Sequence, residues 1–269
     1  MLVVVRHAIT PHNVMIDGRG SAELTAILER AAAKGMYEKN LMLLLRGELR
    51  RNYQAENHRS IVENQGRAQC DAVKKAFAND ELTFKACLCS PYRRTIQTAA
   101  AIVGRFVKYR TYEELCERDL GIFYNLPRDL FYRFFPQEAR KKARDPLGWK
   151  PFDGCSLREL WPALQSVVRA ASEIVKTRGN VLIVAHADVN VSLRALPELG
   201  AMTTTQLLHK GPGDWNPLWF QNCQYDKYSF GDPNGGRPWN VPTHFRSVVP
   251  YGADLGGTKL DTGWHEIKR

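Results

Sequence analysis

The stretch LVVVRHAITPHN, residues 2–13, decides how the rest of the chain reads. Four aliphatic residues in a row, Leu2 to Val5, show no apolar–polar alternation, so this strand is buried on both faces, as in a parallel sheet covered on two sides. Arg6 and His7 then emerge where the strand leaves the core. A second run of the same kind, NVLIVAHAD at residues 180–188, delivers His186 in the same way.

Working outward, the segments between these runs alternate in type. Residues 21–50 have helical composition with a break near Gly35, and residues 63–78 form a helix with Val73 and Phe77 on one face. TFKACLCS, residues 83–90, reads as a strand, followed by a helix with Ser90 as cap and Pro91 at its first position. A further strand is expected from Val107 to Leu115, and Ser156 with Glu159 makes a capping box for a long helix that Gly179 ends. QNCQYDKYSF, residues 221–230, adds a last strand. Strands alternating with helices predict an α/β fold, a three-layer sandwich with a mainly parallel central sheet flanked by helices.

The predicted organisation is one α/β domain over residues 1–230 and an irregular C-terminal extension over 231–269. Within the domain, residues 122–155 are crowded with aromatic and basic side chains. This insertion reads either as a lid that recognises substrate or as a small satellite core.

Composition bounds the function. The chain has 269 residues, 44% hydrophobic and 25% charged, enough for one sizeable core. It lacks a run of about 20 apolar residues that would span a bilayer, and its first residues are too short and wrongly charged for a secretion signal. A cytoplasmic location with no membrane partner is expected. Six cysteines without a CxxC pair read as reduced thiols. The 38 Lys and Arg against 28 Asp and Glu leave a net charge of +10, which favours anionic partners: phosphorylated small molecules, phosphoproteins or nucleic acid. His12, His58, His209, His244 and His265 have no ligand spacing, so neither a metal nor a cofactor is expected.

Each strand ends in a polar group suited to anion chemistry: Arg6 and His7, then Ser90 with Arg93 and Arg94, then Glu117, then His186. Ligands of open α/β sheets bind beyond the carboxyl ends of the strands, so four distant segments meet at one rim. Arginine offers forked donors that match phosphate oxygens. A neutral imidazole can attack phosphorus, and a carboxylic acid can protonate the departing oxygen. The acidic run EELCERDLG offers Glu113, Glu114, Glu117 and Asp119 for that acid, and Asp188 competes from beside His186.

VRHAITPHN, SPYRRTIQTA, LCERDLG and IVAHAD, in that order, resemble the motif segments of the histidine phosphatase superfamily, in its phosphoglycerate-mutase-like branch. The resemblance spans about residues 1–195. It implies His7 as a nucleophile that becomes phosphohistidine, with Arg6, Arg94 and His186 around the phosphate and Glu117 as proton donor. Asn13 and Thr10 match the polar residues that complete the phosphate-binding loop, and Gly66 and Gln69 match a supporting helix segment. The implied activity is metal-independent phosphomonoester hydrolysis. A phosphoglycerate-type mutase, or a catalytically silent adaptor for phospholigands or nucleic acid, are the rival readings.

The chain departs from the family pattern in three places. Alanine follows each of the two histidines, Ala8 and Ala187, where the family carries glycine, and a methyl at each position that crowds the backbone near phosphate is expected to slow turnover or alter the site's shape rather than abolish activity. Leu120 stands where the mutases carry tyrosine. The mutases' extra basic pair has no clear counterpart, although Arg128, Arg133, Lys141 and Lys142 lie in the same general segment. These departures favour phosphatase over mutase.

Overall fold

The computed structural model describes residues 1–11, 13, 22–49, 61, 63–104, 107–124, 126–196, 199, 221–230, 242–252, 259–263 and 265–266. In chain order it contains β1 (Leu2–Arg6), α1 (Ala22–Ala33), α2 (Glu38–Leu49), α3 (Glu63–Asn79), β2 (Ala86–Cys89), α4 (Arg93–Val103) and β3 (Tyr109–Thr111). The insertion follows with α5 (Arg128–Phe134) and α6 (Pro136–Arg144). Then come α7 (Trp161–Arg178), β4 (Val181–Ala185), α8 (Ala187–Ala195), β5 (Tyr225–Phe230), β6 (Pro242–Val249), β7 (Leu260–Asp261) and β8 (His265–Glu266).

The strands form one mixed sheet in the order β3-β2-β4-β1-β5-β6-β7, with β8 also paired to β6. The pairs β2·β3, β2·β4 and β1·β4 are parallel. The expected parallel sheet is therefore one half of the whole, because β5 joins β1 antiparallel and β6 follows it antiparallel. Part of the region beyond residue 230, read from sequence as an irregular extension, pairs into this same sheet. Its Gly- and Pro-rich flanks mask a strand whose Phe245, Ser247 and Val248 are buried.

Burial explains the unbroken aliphatic runs. Leu2, Val4, Ile183 and Leu88 face one core with α7 and α8, whereas Val3, Val5, Leu182 and Val184 face a second core with α3 and α4. Successive side chains of a strand point to opposite faces, so a strand between two cores must be apolar at every position.

Other expectations shift by a few residues. Helix α4 begins at Arg93 rather than Pro91, with Tyr92 at the cap position. The cause is the sheet, which holds Ser90 in register through its N–H to the Val184 carbonyl at 3.2 Å. Strand β3 is only three residues long, since the chain turns at Glu113–Leu115 to bury Leu115. The capping box forms as read: Ser156 N donates to Glu159 Oε2 at 2.6 Å and Glu159 N to Ser156 Oγ at 3.2 Å. One short 3₁₀ turn at Arg158–Leu160 leads from it into α7.

The insertion builds a third core. Phe123, Phe131, Phe135 and Trp149 pack with Leu24 and Leu28 of α1 and Leu41 and Leu45 of α2. A buried ion pair fastens the antiparallel half to α8: Arg194 Nε and Nη2 donate to Asp226 at 2.7 and 2.9 Å, and Nη2 also to Ser247 Oγ at 3.1 Å.

Candidate active site

The carboxyl ends of β1, β2 and β4 bring four predicted residues into contact. His7 leaves β1 with its N–H bonded to the Ala185 carbonyl at 3.0 Å, so the register of β1 and β4 sets its position. Its ring is 3% exposed, and Nδ1 lies 2.7 Å from the Ala8 carbonyl. A carbonyl only accepts, so Nδ1 carries the proton and Nε2 presents a lone pair.

Arg94 faces that lone pair. Its Nε donates to His7 Nε2 at 3.3 Å and its Nη2 to His186 Nδ1 at 3.2 Å. Of the two adjacent arginines, Arg94 is buried and Arg93 exposed, which follows from the helical rotation of α4. The Arg94 guanidinium also lies over the Tyr92 ring, 4.7 Å from its centroid.

Since Arg94 donates to Nδ1 of His186, the His186 proton sits on Nε2 and reaches Ser90 Oγ at 3.0 Å. Burial, then the Arg94 charge, holds this imidazole well below its ordinary pKa and therefore neutral. The two imidazoles meet edge to face, with centroids 5.2 Å apart.

Glu117 follows the turn after β3, and its Oε1 accepts from Arg118 N at 2.9 Å. Burial first, and the Asp188 charge second, raise its pKa from 4.5 to about 7. Arg94 and Arg6 pull the other way, which places both cations within electrostatic reach of the carboxyl. Asp188 itself is held by Arg118 Nε at 2.7 Å, and Arg118 is almost fully buried. The Glu117 loop is fixed beyond this point by Gly121, at φ 55°, where a β-carbon would run into the Phe152 carbonyl.

Asn13 turns its amide oxygen inward. Oδ1 accepts from Thr10 N at 3.0 Å, Thr10 Oγ1 at 2.9 Å and Asn222 Nδ2 at 3.2 Å. Its amide nitrogen makes no hydrogen bond among the described residues. Thr10, buried at 1% exposure, spends its hydroxyl proton on Asn13 and stands behind it. Gln69 Oε1 accepts from Ile9 N at 2.9 Å, and Gly66 lets α3 approach the Ile9 carbonyl closely, so the supporting segment braces the loop after β1.

The two alanines fit. Ala8 is fully buried in the α3/α4 core with its N–H donated to Thr98 Oγ1 at 2.9 Å, and Ala187 packs against the α7/α8 core. Neither has a positive φ. Each methyl is taken up by a core.

Sequence reasoning missed Asn222, whose Nδ2 also donates to the His7 carbonyl at 3.0 Å, and it missed Tyr92 and Arg118 as supports. Tyr92 and Arg118 adjoin the recognised motifs; Asn222 carries no local signal. Among the remaining histidines, His12, His58 and His209 lie outside the described residues, whereas His244 and His265 sit on β6 and β8, away from β1. No helix among the described residues is long and apolar enough to cross a membrane.

Fold and site define a class: an α/β protein in which the carboxyl ends of the sheet's strands join two imidazoles, a buried arginine and a carboxyl of raised pKa. The family model of the histidine phosphatase superfamily (branch 1) matches residues 47–231, more than half of the chain, and the chain belongs to that superfamily. The matched residues contain Arg94, Glu117 and His186 and begin after His7. No curated protein matches. Among solved structures the chain is similar to Bacillus stearothermophilus YhfR at 17% identity and TM-score 0.56, covering 85% of this chain and 91% of that one. It is similar to mycobacterial glucosyl-3-phosphoglycerate phosphatase at 18% identity and TM-score 0.55, covering 98% and 95%. Alpha-ribazole phosphatase from Shigella flexneri gives 15% identity and TM-score 0.54, covering 86% and 91%. At these identities the likeness is one of fold.

Proposed function

We propose that this protein is a phosphomonoesterase that works without a metal ion through a phosphohistidine on His7. The observation that carries this reading is the tautomer of His7: Nδ1 is held by the Ala8 carbonyl, leaving Nε2 directed at the Arg94 guanidinium. At 3.3 Å that contact is long and readily exchanged for a phosphoryl oxygen.

In the first transfer the Nε2 lone pair forms the N–P bond as the ester P–O bond breaks, and Glu117 gives its proton to the departing oxygen. In the second, water attacks phosphorus, Glu117 takes a proton from it, and the N–P electron pair returns to the imidazole. Arg94 and Arg6 balance the charge that gathers on the phosphoryl oxygens, Asn13 adds its amide N–H, and His186 holds Arg94 in place. These cations supply the electrostatics that a metal ion supplies elsewhere.

Two fold neighbours are named as phosphatases, and Leu120 replaces the tyrosine expected of a mutase. The substrate is a phosphorylated small molecule or phosphoprotein. Six free thiols fit a reducing compartment, hence a cytoplasmic enzyme.

The test is a panel of phosphomonoesters assayed for inorganic phosphate, with His7→Ala alongside and a chelator added. Release that survives chelation and disappears in His7→Ala supports the reading. Salt-sensitive binding of RNA or DNA without any phosphate release would replace it with the adaptor.

A further inference from the structure

Beside the Glu117 loop the insertion forms a half-open cavity of about 120 Å³ lined by Leu120, Phe123, Phe131, Trp149, Arg128 and Lys142. Leu120 is three residues past Glu117, and the Arg118 guanidinium lies 5.5 Å from the Trp149 centroid, so the cavity adjoins the acid's side of the candidate active site. That is the side on which the alcohol leaves.

The walls are preorganised. Phe123 and Phe131 meet edge to face at 5.1 Å, Phe131 and Trp149 at 5.8 Å, and Trp149 Nε1 donates to the buried Glu138 Oε2 at 2.9 Å. The indole cannot turn without losing that bond.

Lys142 supplies the polar element. Its ammonium lies 5.2 Å from the Trp149 centroid and 5.8 Å from that of Phe131. Among the described residues it has no hydrogen bond or ion pair. Asp188 is the carboxylate whose charge acts on it, but Asp188 is taken by Arg118, and Arg118 and Arg128 oppose its effect. Lys142 is half-buried, and burial lowers its pKa. A half-buried cation without a hydrogen-bonded partner can take the anionic group of a ligand.

We propose that this cavity is the leaving-group subsite and takes a single planar ring bearing a carboxylate, the ring among Phe123, Phe131 and Trp149 and the carboxylate on Lys142. The inference rests on the phosphatase reading. Its volume approaches the ~150 Å³ of an engineered cavity that holds benzene, so a single ring matches it in size. Aromatic walls with a few placed polar groups are the usual makeup of such sites.

The test measures kcat/KM for ethyl, benzyl and 4-carboxybenzyl phosphate with the wild-type protein and with Lys142→Met and Lys142→Arg. The expected wild-type order is 4-carboxybenzyl over benzyl over ethyl, each step about tenfold. Lys142→Met brings the 4-carboxybenzyl to benzyl ratio close to one, and Lys142→Arg preserves it. Phosphate release without this order in the wild type, or a ratio that Lys142→Met leaves intact, overturns the subsite while the phosphatase reading stands. If Lys142→Met does not fold, the wild-type order alone decides. Release from none of the three, nor from a wider panel, overturns the phosphatase reading and this subsite with it.

Discussion

Arg94 donates through Nε to Nε2 of His7 across 3.3 Å, so the cation and the nitrogen lone pair already share the line along which a phosphoryl group would enter. The same guanidinium bonds His186, which makes Arg94 the hub of the site. Arg94→Ala is expected to lower kcat by ~10²–10³-fold, the scale for loss of one charge-stabilising donor. Lysine cannot reproduce the fork, so Arg94→Lys stays well below wild type. Steady-state kinetics on one phosphomonoester check both, and an Arg94→Lys variant as active as wild type would contradict the two-pronged role.

Glu117 predicts the pH profile. With its pKa raised to about 7, the carboxyl is protonated below that pH and loses its proton above it. In the proposed mechanism the first transfer uses the protonated form, so kcat/KM for an alkyl phosphate is expected to fall as pH rises through about 7. Glu117→Gln should cost ~10²–10⁴-fold on an alkyl phosphate and far less on p-nitrophenyl phosphate, whose leaving group needs no proton.

Asp188 offers a finer check on the same group. Its charge is the second cause of the raised Glu117 pKa, and its bond to Arg118 needs only an acceptor oxygen. Asp188→Asn keeps that acceptor and removes the charge. The alkaline limb should therefore move to lower pH, and a limb that stays in place would show that burial alone sets it.

The alanines after the two histidines test the packing. Both methyls sit in core contacts, so Ala8→Gly and Ala187→Gly should each lower stability by about 1 kcal/mol with no gain in kcat. Thermal melts and turnover measured together decide the point. A severalfold rise in kcat would mean that the methyls crowd the phosphate after all.

The buried pair Arg194–Asp226 makes a prediction about stability alone. Both side chains are fully buried, so Asp226→Ala leaves a guanidinium without its counter-charge and should cost about 3–5 kcal/mol. Replacing both partners with apolar residues of similar volume should recover most of that loss in denaturant unfolding.

What could be read in the sequence was local. The strands at Leu2–Arg6 and Val181–Ala185 are apolar at every position because two cores claim alternate side chains, and the polar residues that follow mark where each strand leaves the protein interior. The family resemblance picked out Arg94 of the two adjacent arginines, and burial on α4 agrees. The antiparallel half of the sheet was not readable in the same way. Its strand at Pro242–Val249 is bounded by Gly and Pro, and its buried Ser247 is satisfied by Arg194 and Gln224 through contacts that no local pattern encodes. Asn222 is the extreme case, lying 215 residues from the His7 carbonyl that it supports.

The most direct test of the account is chemical. A phosphomonoester carrying ³²P is mixed with the protein, quenched within one turnover, and the label mapped by proteolysis. Transfer through His7 predicts an acid-labile, base-stable phosphoryl group on that residue that forms and decays at rates compatible with turnover and is absent from His7→Ala. Phosphate released at the same rate with no label on His7, or by His7→Ala itself, would contradict it.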